Sequence, residues 1–282
     1  MLLVAALLSA GIGATLGLLG GGGSVLTLPM LVYVLGVAPK DAIAASLLVV
    51  GLTSAAAAAG HARAGRVDAR LGLSFAAAAM LGAYLWGRAA RLVPPGLLLA
   101  GFGAVTLAAS VAMLRGPRAS ARTRPRSAPT LAAIALAVGG VSGLVGAGGG
   151  FVVVPALTLL AGLPLPRAIG TSLLVIALQS LSGFAGHAAD AHLDVALLAV
   201  VSSASIAGSA AGVALSRRVR ALDLRTAFGW LVLVTGAAML LAQLPAAVTR
   251  ALHLPSLAAG AALVALAWAV TRLRASTSPP AR

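Results

Sequence analysis

Gly17-Leu-Leu-Gly-Gly-Gly-Gly-Ser24, followed by Pro29, and Gly143-Leu-Val-Gly-Ala-Gly-Gly-Gly150, followed by Pro155, are two copies of one glycine-rich stretch. They lie 126 positions apart, the separation of Pro29 and Pro155. The same offset carries far beyond them. Gly13 meets Gly139, Gly36 meets Gly162, and Ser46-Leu47-Leu48-Val49 meets Ser172-Leu173-Leu174-Val175. Ser54 meets Ser180, Gly60-His61 meets Gly186-His187, and Asp68 meets Asp194. Gly82 meets Gly208, Phe102-Gly103 meets Phe228-Gly229, and Met113 meets Met239, with no gap from about residue 11 to 114. Apolar bias alone would pair Leu with Leu and Ala with Ala. It does not bring His, Asp, Pro and Met into one frame, so the chain is duplicated.

Composition sets the solvent. Of 282 residues, 60% are hydrophobic and 9% charged, against about 25% charged in a soluble domain. That is too little polar surface for a water-soluble globule, so the partner is a lipid bilayer. The formal charge of +15 does not indicate nucleic acid, because the arginines cluster between apolar runs, as in membrane loops. There is no Glu and no Cys, which leaves no thiolate metal site and no metal or other cofactor to expect. Met1–Ala10 resembles the core of a signal peptide. It has no basic leader, its apolar run continues, and that continuation recurs in the second copy, so it reads as part of the mature fold.

The organisation expected is a first transmembrane repeat over 1–114, a cytoplasmic Arg/Pro-rich linker over 115–129 and a second repeat over 130–244. One extra C-terminal helix follows over 254–271, then a basic tail ending at Arg282. In the first copy the apolar segments are roughly 2–19, 25–36, 42–60, 70–87 and 93–114. A helix needs about 20 residues to cross about 30 Å of hydrocarbon. The 25–36 segment is too short. It is either the second half of one kinked helix from residue 2 to 35, or one arm of a re-entrant pair that meets at the glycines and returns to the same side.

Positive charge favours the re-entrant pair. With one in each copy, sixteen of the twenty basic residues fall on one side, and only Lys40, Arg88, Arg91 and Arg250 on the other. A single crossing through the second glycine region splits them about nine to eleven. Each re-entrant unit makes an odd number of net crossings, so the copies are inverted. The fold class predicted is thus an all-α polytopic membrane protein. It has two inverted repeats, each with a Gly-rich broken or re-entrant helix, and about eight or more membrane segments plus the C-terminal helix. Inverted repeats around interrupted helices are a recurrent plan for secondary transporters, with substrate at the midplane.

The residues expected to hold substrate follow from that plan. Gly20, Gly21, Gly22, Gly23 and Ser24, with Gly146, Gly148, Gly149 and Gly150, would present backbone N–H groups at a helix N-terminus, where an anion is favoured. Ser24 is placed to cap the second half-helix. The competing reading is close packing through Gly13-xxx-Gly17 and Gly139-xxx-Gly143, though packing does not require consecutive glycines. Ser46, Thr53 and Ser54, and Thr171, Ser172, Gln179 and Ser180, line one helix face in each copy. Ser46, Thr53, Thr171, Ser172 and Gln179 are expected to bond substrate, against the alternative that hydroxyls bond back to their own helix. An amide such as Gln179 in hydrocarbon must find partners. His61 and His187 are either anchors of the helix end or a proton relay. Asp68 and Asp194 read as N-caps. None of Asp41, Asp68, Asp190, Asp194 or Asp223 lies mid-span, which weakens any carboxylate-driven antiport.

The doubled stretch, with Ser46-Leu-Leu in one copy and Gly170-Thr-Ser-Leu-Leu174 in the other, resembles the sulfite exporter TauE/SafE family. The likeness covers both repeats. It implies a permease of the bacterial or archaeal inner membrane that exports small sulfur-containing anions such as sulfite or organosulfonates. One departure is Ala55–Ala59, where the second copy has Leu181-Ser182-Gly183-Phe184, so the halves of any site are unequal. A small anionic substrate is the partner expected, and a homo-oligomer is compatible with the sequence. The alternatives are a non-transporting scaffold or assembly subunit and a membrane-embedded enzyme. The enzyme is disfavoured because the sequence offers no carboxylate pair, activated nucleophile or P-loop.

Overall fold

In a computed structural model of the chain, every regular element among the described residues is helical. The structure describes residues 2–20, 23–115, 127–146, 148–159, 161–216 and 221–243. The expected C-terminal helix at 254–271 and most of the linker lie outside them.

The first copy folds as α1 (Leu2–Leu19), α2 (Ser24–Pro29), α3 (Pro39–Arg63), α4 (Ala69–Ala89) and α5 (Pro95–Arg115). The second gives α6 (Ala128–Val145), α7 (Gly150–Leu159), α8 (Leu165–His187), α9 (Val195–Leu215) and α10 (Ala221–Ala242). Shifted by 126, each helix of the second copy overlies its counterpart to within two residues, except where the short arms α2 and α7 end. There Pro29 removes an N–H, and α2 continues as a π-helical turn over Met30–Val34 with Leu35 N–H bonded to Met30 O at 3.0 Å. Asp68 and Asp194 cap α4 and α9 as expected, accepting from Leu71 N at 3.0 Å and Leu197 N at 3.1 Å.

Five helices among the described residues are long and apolar enough to cross a membrane: Leu2–Leu19, Pro39–Arg63, Ala69–Leu92, Pro166–His187 and Val195–Leu215. Four shorter apolar helices accompany them, including Ser24–Val34 and Pro129–Val145.

Packing crosses between the copies. α1 lies on α9, and α4 on α6. A Cβ on Gly13 or Gly17 would run into the backbone of Ser205 or Ser209. In matched register, one on Gly139 or Gly143 would run into Ala79 or Ala83. Gly208 and Gly212 are closed on Ala10 and Ala14 in the same way. These glycines serve close helix approach, so the packing reading holds for them. The remaining central pair, α3 and α8, runs antiparallel. Asp41 at the start of α3 accepts from His192 N just beyond α8 at 2.9 Å, and Asp68 N beyond the end of α3 donates to Thr171 Oγ1 near the start of α8 at 2.9 Å.

Candidate substrate site

The glycine runs are where two helices stop. α6 ends when Gly146 turns left-handed at φ 74°, its N–H closing on Ser142 O at 2.9 Å. Gly148 and Gly149 follow at φ 64° and 69°, and α7 starts at Gly150. Three left-handed residues within four positions need glycine. In the first copy Gly20 does the same at φ 67°, and α2 starts at Ser24 after Gly23. Gly21 and Gly22 lie outside the described residues. Ser24 is the first residue of α2 rather than its cap, and the capping position, Gly23, carries no side chain.

Each break is held by the other copy. Ser46 Oγ on α3 donates to Gly146 O at 2.9 Å, and Ser172 Oγ on α8 lies 2.9 Å from Gly20 O, its proton shared with Ile169 O of its own helix at 2.8 Å. A Cβ on Gly146 would stand 2.8 Å from Ile43, and one on Gly20 would stand 2.7 Å from Ile169, the equivalent position. The breaks also meet: a Cβ on Gly148 would stand 3.3 Å from Ser24 Cβ and 3.4 Å from Ser180 Oγ. One on Gly149 would overlap the Gln179 carboxamide and stand 3.0 Å from Ser142 Oγ. The centre of the bundle is therefore polar and fully buried, with Ser24, Ser46, Ser172, Gln179 and Ser180 all at 0% exposure.

The predicted residues divide. Gly146, Gly148, Gly149, Gly150, Ser24 and Gln179 come together at this centre, with Gln179 Nε2 donating to Gly148 O at 2.8 Å. Gly20 and Gly23 shape the first break. Ser46 and Ser172 touch the breaks as tethers on carbonyls. Thr53 donates to Val49 O of its own helix at 2.7 Å, and Thr171 accepts from Asp68 N, so both hydroxyls are engaged structurally. His61 Nε2 lies 3.1 Å from Gly17 O, and His187 Nε2 lies 2.8 Å from Gly143 O, which makes both rings ties between helices. Two hydroxyls were not in the predicted set. Ser142 and Ser180 are buried, and their Oγ atoms have no partner among the described residues. Ser180 stands in the serine stripe with Ser54, whose Oγ is likewise unpartnered. Ser142 lies in the last turn of α6, four residues before Gly146 and directly ahead of Gly143.

His187 also floors a cavity of about 250 Å³ at one end of the bundle, lined by Lys40, Arg91 and Asp190 among others. Lys40 Nζ donates to Arg91 O there at 2.9 Å. Among the described residues no group of three or more His, Asp or Glu is placed to hold a metal ion.

The model of the family described as Sulfite exporter TauE/SafE matches residues 5–239, which takes in both breaks. This chain belongs to the TauE/SafE family. It is 36% identical over 231 residues to a "Probable membrane transporter protein" of Xylella fastidiosa strain 9a5c, covering 79% of this chain and 88% of that relative. It is 28% identical over 253 residues to the "Probable membrane transporter protein YunE" of Bacillus subtilis strain 168, covering 78% and 89%. No solved structure matches the chain significantly. As a TauE/SafE protein it is a multi-pass membrane transporter, not an enzyme.

Proposed function

We propose that this TauE/SafE transporter exports a small anion, sulfite or an organosulfonate, across the inner membrane of a bacterium. The observation that carries the reading is the crossed pair of tethers, Ser46 to Gly146 and Ser172 to Gly20, which joins the two breaks into one buried polar centre. The start of α7 brings unpaired N–H groups and about half a positive charge to that centre. In a low-dielectric interior that field favours an anion, and glycine lets the anion reach the backbone.

The two repeats, bounded at 1–114 and 130–244, sit in opposite orientations in the membrane and rock about the shared centre. The antiparallel run of α3 and α8, which are equivalents in the 126-residue frame, supports that orientation. So does the sixteen-to-four split of basic residues. The reading is tested by flux of sulfite and of a panel of sulfonates from proteoliposomes holding the purified protein. Efflux above that of empty vesicles for at least one of them is expected. No efflux above empty vesicles for any of them overturns the cargo class.

A further inference from the structure

The two copies differ where Gln179 stands opposite Thr53 in the 126-residue frame. Thr53 spends its hydroxyl on its own helix, at Val49 O. Gln179 does not. Its Nε2 donates to Gly148 O at 2.8 Å, and its Oε1 is buried with no partner among the described residues. The orientation is fixed by that bond. Turned over, the carboxamide would set oxygen against the carbonyl oxygen of Gly148, acceptor against acceptor. Oε1 is therefore held as a group that can only accept.

Its neighbours can donate. Ser142 Oγ and Ser180 Oγ are unpartnered hydroxyls beside Gly149 and Gly148, the same turn that Gln179 closes. The turn is thus ringed by two donors and one obligate acceptor, at the mouth of α7. A plain sulfonate or a fully deprotonated oxyanion offers only acceptors. It satisfies the hydroxyls and turns a negative oxygen toward Oε1. An anion with an O–H or N–H of its own satisfies all three groups. A site that leaves a buried polar group unpaired discriminates strongly against the ligand that does so.

We infer that Gln179 selects anions that carry their own hydrogen-bond donor: a monoprotonated oxyanion, or a hydroxy- or amino-substituted sulfonate. The inference rests on the proposed anion transport through this centre. Thr53, the counterpart of Gln179 in the first copy, bonds back to Val49 O, so this carboxamide acceptor comes from the second copy, beside the start of α7.

The test compares hydroxymethanesulfonate with methanesulfonate, which differ by one hydroxyl, as substrates for proteoliposome flux. The wild type is expected to prefer the hydroxylated anion by about tenfold or more in kcat/KM. Gln179→Leu, and Gln179→Met as a second variant, are expected to bring the ratio to within about twofold, whatever their absolute rates. Equal rates in the wild type, or a preference retained in both variants, would overturn the role of Gln179 and leave anion transport standing. Flux of neither anion above empty vesicles would overturn anion transport, and this inference with it.

Discussion

Ser46 and Gly146 are one hundred residues apart in the chain and joined by a 2.9 Å hydrogen bond. Ser172 and Gly20 make the matching bond across 152 residues. Removing either hydroxyl strands a buried carbonyl where a helix has stopped. Ser46→Ala and Ser172→Ala are each expected to cost about 1–3 kcal/mol of stability, read as a lowered Tm in detergent. Ser74→Ala, an exposed hydroxyl on its own helix at Leu71 O, is expected to stay within about 0.5 kcal/mol. Equal effects at all three positions would mean that the tethers do not hold the breaks.

The contact of α4 with α6 leaves no room for a side chain at Gly139 or Gly143. Gly143→Leu forces the helices apart and is expected to cost well over the roughly 1–3 kcal/mol of ordinary overpacking. Little monodisperse protein should survive size-exclusion chromatography. Gly11, which faces open space, tolerates Ala without loss. A monodisperse Gly143→Leu protein with wild-type Tm would contradict the packing.

His61 and His187 each tie a helix end to a carbonyl one helix away. Glutamine keeps an N–H donor at similar reach, and leucine does not. His187→Gln is expected to retain flux within about tenfold of wild type, while His187→Leu loses about 1–3 kcal/mol of stability. A Gln variant with unchanged Tm and no flux would make the ring a carrier of protons rather than an anchor.

The chain has no cysteine, so single-cysteine variants report topology without background. His192 beyond α8 is at the end of the bundle that holds Asp41, and Arg63 is at the other end of α3. In intact cells His192→Cys should react with a membrane-impermeant maleimide, and Arg63→Cys should react only after permeabilisation. Reaction of both from the same side would contradict the inverted arrangement.

Much of this architecture is legible from one offset. The frame that pairs Pro29 with Pro155 also fixes the helix ends, because caps such as Asp68 and Asp194 and stops such as Gly20 and Gly146 are local signals. The glycine runs interrupt a helix in both copies for the same reason. What sequence does not carry is which copy a hydroxyl serves. Ser46 and Thr53 lie on one stripe of α3, yet one reaches across to Gly146 and the other bonds back to Val49. That choice depends on where α6 stops against α3, a tertiary fact. Ser142 is not legible as a site residue because it lies one helical turn before Gly146 and comes beside the Gly149 turn that Gln179 also flanks only once α8 packs against α6.

The central claim is that the joined glycine breaks are the transport site, and Gly149 tests it most directly. At φ 69° it faces the Gln179 carboxamide and Ser142 Oγ, so a single methyl group strains the turn and pushes the carboxamide out of place. Sulfite and sulfonate efflux from proteoliposomes of Gly149→Ala, matched to wild type by protein content and elution profile, is the measurement. Loss of at least about tenfold in efflux with a monodisperse profile is the predicted result. Efflux equal to wild type would contradict the account.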